Sequence, residues 1–135
     1  MDLTQAMHVS AAGMKVQGAR MRLVAQNLAN ANSAPLAPGG QPYRRQTITF
    51  ENVLDRELGV ELVRVARTDV DRSAFPLRYD PGHPAADADG YVLMPNVNPL
   101  LEMMDLREAQ RSFEANLNAL GLARSMVQRT LDLLR

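Results

Sequence analysis

Apolar residues recur at helical spacing at both ends of the chain and lose that spacing in the middle. They follow alternating steps of three and four through the first 28 residues, and again from residue 103 to 134. Apolar side chains fill six of eight such positions in the first series and eight of ten in the second. This alternation is typical of the a/d seam of a coiled coil. The predicted assembly seam comprises Leu3, Met7, Met14, Met21, Val24, Leu28, Met103, Leu106, Phe113, Leu117, Leu120, Val127, Leu131 and Leu134.

The first series predicts a helix that Asp2 or Thr4 caps and that runs to about Asn30. Two glycines inside it each cost on the order of 1 kcal/mol relative to alanine, so this helix is marginal on its own. Residues 10–13 are all small, which permits another backbone to approach closely.

The middle of the chain reads as a loop followed by short strands. Three prolines and a Gly-Gly pair exclude a helix over residues 31–42. No charged side chain occurs from residue 23 through 43, so this stretch either packs against another surface or is flexible. The apolar period then changes to two, which indicates strands. The predicted strands are 46–50, 60–67, 75–79 and 91–94.

A second long helix closes the chain. Asn98 is a favourable cap, Pro99 suits the first helical position, and Glu102 and Asp105 complement the positive end of the helix dipole. The predicted fold is therefore α+β, with two terminal helices paired as a coiled coil and a small central β-rich domain. The predicted domains are a helix at 1–32, a Pro/Gly-rich linker at 33–45, a β-rich domain at 46–95 and a helix at 96–135.

The second helix carries more apolar surface than one partner helix covers. Residues 115–123 contain no charge, and Leu122, Met126 and Leu133 lie off the main seam. A helix that is apolar on several faces is normally buried on several faces, which favours assembly with other subunits over a monomer. Further candidates for register or interface roles, which otherwise read as ordinary exposed residues, are Asn27, Asn30, Asn116, Asn118, Leu122 and Met126.

Composition removes several classes of function. The formal net charge is zero and no Lys/Arg-rich block occurs, which gives no reason to expect a nucleic-acid partner. The chain has no cysteine, and no window is long and apolar enough for membrane insertion. Neither an ordinary secretory signal nor a cofactor-binding motif is visible. With only six aromatic residues, a deep pocket for a small-molecule substrate is not expected.

Residues 80–90 form the richest polar cluster. Read as a calcium loop, the cluster has Ala85 and Asn96 where two key carboxylates belong, so a turn between strands is the favoured interpretation. Two alternatives to an assembly subunit stay open at this point: a cytosolic helical adaptor or chaperone dimer, and a small metal-dependent hydrolase. The hydrolase would use Asp80, His83, Asp87 and Asp89.

Several segments of the chain resemble the bacterial flagellar rod and hook proteins. The N-terminal signature of that family is matched by residues 10–14, 22–23 and 27–32. Residues 79–98, 102–106 and 111–116 are similar to its proximal-rod members in particular. The family usually reaches an aromatic-Arg pair by a short turn, whereas here a Pro/Gly-rich segment precedes Tyr43-Arg44-Arg45. In two further departures, Ser33 replaces a threonine and Phe113 stands where tyrosine is common.

The resemblance implies a non-enzymatic structural subunit of the flagellar basal-body rod. Such subunits pass through the flagellar type III export apparatus without a cleaved signal. They then polymerise with themselves and other rod proteins into the shaft that crosses the periplasm and transmits torque. Their terminal helices pair as an inner coiled-coil domain.

Overall fold

The computed structural model describes residues 1–134 and has an α+β fold. Two long terminal helices pack together, and the four strands between them form two small antiparallel sheets, β1–β2 and β3–β4. The predicted fold class is confirmed. In chain order the elements are α1 (Leu3–Ala29), β1 (Gln46–Asp55), β2 (Val60–Val70), β3 (Leu77–Tyr79), β4 (Tyr91–Leu93) and α2 (Pro99–Leu133).

Local capping signals fix where both helices begin. Asp2 Oδ1 accepts a hydrogen bond from the backbone N–H of Gln5 at 2.7 Å, and Gln5 Oε1 accepts one from the N–H of Asp2 at 2.8 Å. This reciprocal pair is a capping box, so Asp2 rather than Thr4 caps α1. At α2, Asn98 Oδ1 accepts from the N–H of Leu100 at 3.1 Å, which confirms the predicted cap.

All four predicted strands are present, and the first two are longer than their alternating pattern indicated. β1 continues five residues beyond Phe50 to a turn at 56–59, where β2 begins the return. Asp55 Oδ1 accepts from the N–H groups of Glu57 and Leu58, both at 3.0 Å, and Gly59 takes a positive φ of 66°. Pairing between the two strands therefore extends them past the point where apolar alternation ends.

The chain divides into two compact units. Unit 1 contains residues 1–22, residues 48–67 and the part of α2 from residue 106; unit 2 contains residues 23–47 and 68–105. The helices contribute to both units. The buried core of unit 1 includes Val16, Ala109 and Ala123, so it is narrow and built mainly of small side chains.

Unit 2 has a fuller core centred on the β3–β4 sheet. Leu77 pairs with Leu93, and Tyr79 pairs with Tyr91, whose ring lies edge-to-face on it at a centroid distance of 5.3 Å. Between them Val92 is completely buried and packs in one cluster with Ala85 and Met94. This arrangement anchors the turn-rich segment 80–90 to the sheet.

Candidate assembly interface

In unit 1 the two helices meet closely at a glycine. Gly13 is buried, and a Cβ placed on it would lie only 2.7 Å from Oδ1 of Asn116. Asn116 donates its Nδ2–H to the carbonyl of Ser112 at 2.9 Å, which holds its side chain along α2. The small patch at 10–13 thus does admit a close neighbour, and that neighbour is a side chain of the same molecule.

The row of α2 that packs inward combines predicted and unpredicted positions. Four predicted members of the seam, spaced seven residues apart, are half-buried: Leu106, Phe113, Leu120 and Val127. The same row also includes Glu102, Ala109 and Ala123, which are buried, and Asn116, which is half-buried. Glu102 and Asn116 each lie one residue before a predicted member, Met103 and Leu117. Ala109 and Ala123 each lie one residue before a polar position of the same three-four series, Gln110 and Arg124. These four inward positions therefore hold small or polar residues, and the larger side chains that follow them lie farther out.

The remaining members of the predicted seam differ in exposure. On α1, Val24 is buried, while the half-buried members are Leu3, Met7, Met14, Met21 and Leu28. On α2 the exposed members are Met103, Leu117 and Leu131, and Leu134, directly after the helix, is exposed as well. Whether any of them contacts another subunit remains a prediction.

A second apolar row runs along α2 in unit 1, which we call the outer stripe. It lies roughly a third of a turn from the inward row at 3.6 residues per turn. Its larger side chains are strongly exposed: Leu122 by 64%, Met126 by 46% and Leu133 by 87%. The outer stripe comprises Ala115, Ala119, Leu122, Met126 and Leu133, which are spaced by four, three, four and seven residues. Its spacing is that of a second packing seam, and residues 1–134 leave it largely uncovered.

In unit 2 a buried polar cluster joins the end of α1 to the start of α2. Asn27 is completely buried and uses its whole hydrogen-bonding capacity. Its Nδ2 donates to the carbonyl of Gln46 at 2.9 Å and to Oε2 of Glu102 at 3.2 Å. Its Oδ1 accepts from the hydroxyl of Tyr43 at 2.8 Å and from the N–H of Gln46 at 2.9 Å. Asn27 therefore has no bond left for another subunit.

Glu102 is the charged centre of this cluster. Its side chain is only 1% exposed, and its Oε1 accepts from Nε of Arg45 in an ion pair. The backbone N–H of Arg45 donates to Asn96 Oδ1 at 2.7 Å, and Asn96 Nδ2 donates to the carbonyl of Asp71 at 2.9 Å. A buried carboxylate is tolerated when it is paired and hydrogen-bonded in this way. We call the set Asn27, Tyr43, Arg45, Asn96 and Glu102 the polar clasp.

Two titratable groups in and beside the polar clasp are shifted. Burial, and then the negative charge of Glu102, raises the pKa of the Tyr43 phenol above its ordinary value. Hydrogen bonds from the backbone and side chain of Ser73, followed by the charges of Arg45 and Arg44, lower the pKa of Asp71. The Ser73 N–H donates to Asp71 Oδ1 at 2.8 Å. Both shifts favour the ionisation states present at neutral pH.

Of the residues in the polar clasp, only Asn27 was predicted from the sequence, as a register or interface candidate. Glu102 was interpreted as a charge at a helix start, because its position in the first turn of α2 explains it without burial. Tyr43 and Arg45 stood only as part of a family-like segment. The uncharged stretch that ends at Tyr43 was the one available sign that this region packs inward.

The other asparagine candidates have separate local roles. Asn30 Nδ2 donates to the carbonyl of Gln26 at 2.9 Å, and its Oδ1 accepts from the Ser33 hydroxyl at 3.1 Å, so it closes the end of α1. Asn118 is exposed on α2. Gln17, in unit 1, has a buried Oε1 for which residues 1–134 offer no hydrogen-bond partner.

Residues 80–90 form a turn whose polar groups bond to the backbone. Asp87 Oδ1 accepts from the N–H groups of Asp89 and Tyr91, both at 2.9 Å, and His83 Nδ1 accepts from the N–H of Ala85 at 3.0 Å. Asp80 forms an ion pair with Arg78 at 3.6 Å. Within residues 1–134, no three His, Asp or Glu side chains gather closely enough to hold a metal ion. Over the same residues, neither helix is long and apolar enough to cross a membrane.

The fold and the sequence of α2 define the class of the protein. Residues 88–133 match the family described as flagellar basal body rod FlgEFG protein C-terminal. This match covers less than half of the chain and indicates the class of flagellar rod proteins, which relatives that cover almost the whole chain establish.

Curated relatives narrow the class further, and each is named flagellar basal-body rod protein FlgC. The chain is 50% identical to that of Agrobacterium fabrum, over 98% of this chain and 96% of the relative. Identity is 41% to the Aquifex aeolicus protein, over 98% and 97% of the two chains. It is 37% to the Salmonella typhimurium protein, over 98% of each. The chain belongs to the FlgC family of flagellar basal-body rod proteins. It is a structural subunit of the proximal rod, not an enzyme, which confirms the sequence-based prediction.

Proposed function

We propose that this subunit polymerises with copies of itself and with other rod proteins, and that the outer stripe of α2 is a contact surface in the resulting torque-transmitting shaft. The observation that carries the proposal is the exposure of Leu122, Met126 and Leu133 on one face of a helix whose other apolar row is already occupied. Fully burying one leucine side chain gains about 1.5–3 kcal/mol. Several such side chains on each of two partners supply enough free energy to favour association.

The chemistry of the outer stripe suits helix-to-helix packing. Ala115 and Ala119 are small enough to let another helix approach, and Met126 adapts its shape to an inexact partner. The stripe carries no charged side chain, so covering it does not desolvate an unpaired ion. The exposed seam members Leu117 and Leu131 extend the surface available to neighbouring subunits.

Export through the flagellar type III apparatus in an unfolded or partly folded form also belongs to this proposal. The narrow core of unit 1 supports it, because a core of small side chains stabilises its helices weakly. The absence of cysteine supports it as well, since no disulfide must form or break during passage from a reducing to an oxidising compartment.

A charge placed on the outer stripe tests the proposal. In a strain that lacks the native subunit, the double variant Leu122→Asp, Met126→Asp is expected to give no isolable rods and no swimming. Ser125→Asp is the control, because it places one such charge at an exposed position of α2 off the stripe, and it should leave rods and motility intact. Circular dichroism of the purified variants checks that their helix content is unchanged. Normal rods from the double variant would contradict the proposal.

A further inference from the structure

We propose that two polar contacts, Asn27 with Glu102 and Gly13 with Asn116, set the register in which α1 pairs with α2. The inference concerns pairing within one chain, so it does not depend on the outer stripe or on assembly. One contact belongs to unit 2 and the other to unit 1. Each is an observed approach between the helices: a hydrogen bond of 3.2 Å in the first, and side-chain packing on a bare Cα in the second.

The spacing of the two contacts is the same on both helices. Gly13 and Asn27 are fourteen residues apart on α1, and Glu102 and Asn116 are fourteen residues apart on α2. Fourteen residues are two heptads, so each helix presents its two members on one face. Antiparallel pairing that satisfies one contact therefore also satisfies the other.

The apolar residues on the same face of α2 do not specify the register of pairing. Leu106, Phe113, Leu120 and Val127 recur every seven residues, so a slip of one heptad replaces an apolar residue by another apolar residue. The facing side of α1 is rich in methionine, which tolerates a change of neighbour. Hydrophobic burial alone would leave several pairings close in free energy. Polar groups at single core positions are the known means of choosing among such pairings, at some cost in stability.

A slip of one heptad breaks both contacts at once. In one direction Asn27 comes level with Ala109 and Gly13 with Ala123; in the other, Asn27 comes level with Pro95 and Gly13 with Ala109. In neither pairing does Asn27 reach a carboxylate. Glu102 then loses the Asn27 donor inside a buried site, so the observed register is preferred.

Distances between two spin labels in the unassembled subunit test the inference. The native chain has no cysteine, so Arg22→Cys and Arg124→Cys, both at exposed helix positions of unit 1, provide the only labelling sites. In the observed register they lie roughly 25 Å apart along the helix axes, at 1.5 Å per residue, and a slip of one heptad changes that separation by roughly 10 Å. Dilution with unlabelled protein ensures that pulsed electron paramagnetic resonance reports only distances within one chain.

The labelled parent is expected to show a single distance. Adding Asn27→Leu, Glu102→Leu and Asn116→Ala removes both contacts and keeps the two fully buried positions, 27 and 102, filled. A second population displaced by roughly 10 Å should then appear. The control Asn118→Ala removes an exposed asparagine from the same helix and should keep the parent distance. A single parent-like distance in the triple variant would overturn the inference.

A second arm keeps the test decisive if the triple variant loses its helix content. Gly13→Ala retains every polar group and raises helix propensity, yet its added Cβ conflicts with Asn116. It should broaden or shift the label distance, and Asn116→Ala in the same chain should restore the parent distance. An unchanged distance in Gly13→Ala would show that this contact does not set the register.

Discussion

The two units of the subunit satisfy their buried groups to different degrees. In unit 2, Asn27 makes every hydrogen bond it can, Glu102 is paired, and Val92 is completely covered. In unit 1, the buried Gln17 Oε1 finds no partner among residues 1–134, and Leu122 is largely exposed. Large apolar side chains are exposed in both units, with Leu100 and Met104 among them in unit 2. The two units therefore differ in how fully their buried polar groups are satisfied, and unit 2 is the better satisfied of the two.

The largest expected effect is on unit 2. Glu102→Ala leaves Arg45 and Asn27 without their buried partner, and such losses typically cost about 3–5 kcal/mol. All three tyrosines, at 43, 79 and 91, lie in unit 2 and the chain has no tryptophan, so tyrosine fluorescence during urea unfolding reports this unit. The expected result is a loss of its cooperative transition or a much lower midpoint.

The matched control for Glu102→Ala lies on the same helix in unit 1. Glu108 is 70% exposed and forms an ion pair with Arg20 at 3.5 Å. Exposed pairs of this kind contribute at most about 1 kcal/mol, so Glu108→Ala should barely move the midpoint. Equal effects from the two substitutions would remove the distinction between the units.

Two methionine-to-alanine substitutions, one in each unit, test the comparison with an effect on stability of intermediate size. Met94 is buried beside Ala85 and Val92 in unit 2, and Met94→Ala should lower the free energy of unfolding by about 2–5 kcal/mol. Met126 is half exposed on the outer stripe, and Met126→Ala should change it by less than about 0.5 kcal/mol.

The effect of Met126→Ala on rod assembly should be larger than its effect on stability. Met126→Ala removes part of the proposed contact surface, so we expect it to reduce rod yield in cells although its subunit is as stable as the parent. Rod yield is compared after matching the amounts of exported subunit, which separates assembly from degradation of an unstable chain. A fully normal rod yield would show that Met126 contributes nothing to the contact.

Contacts between residues close together in the sequence could be predicted from it, whereas contacts between residues far apart in the sequence could not. Asp2 and Asn98 act on backbone groups within three positions, so both helix starts were predictable. The polar clasp brings together residues from both helices and from the approach to β1. Nothing near Glu102 in the sequence indicates that Arg45, 57 residues away, neutralises it. The inward row of α2 is displaced by one residue at Ala109 and Ala123, because the following positions of the series are Gln110 and Arg124, whose polar side chains lie exposed.

Among the substitutions in unit 2, the smallest expected effect on stability is that of Asp71→Asn, and this effect depends on pH. Asp71 has a pKa below its ordinary value of 3.8, so its ionised form stabilises the fold above that pH, and the contribution is lost as pH falls through the lowered pKa. Asp71→Asn removes the charge facing Arg45 at 3.8 Å and should lower stability by a few tenths to about 1 kcal/mol at pH 6. Urea midpoints of the two proteins should converge as pH falls from 3.8 through the lowered pKa, because the aspartate of the folded parent then becomes neutral too. Asp89→Asn, at an exposed turn position, is the control, and a parent–variant difference at Asp71 that persists unchanged in acid would show that its charge is not the cause.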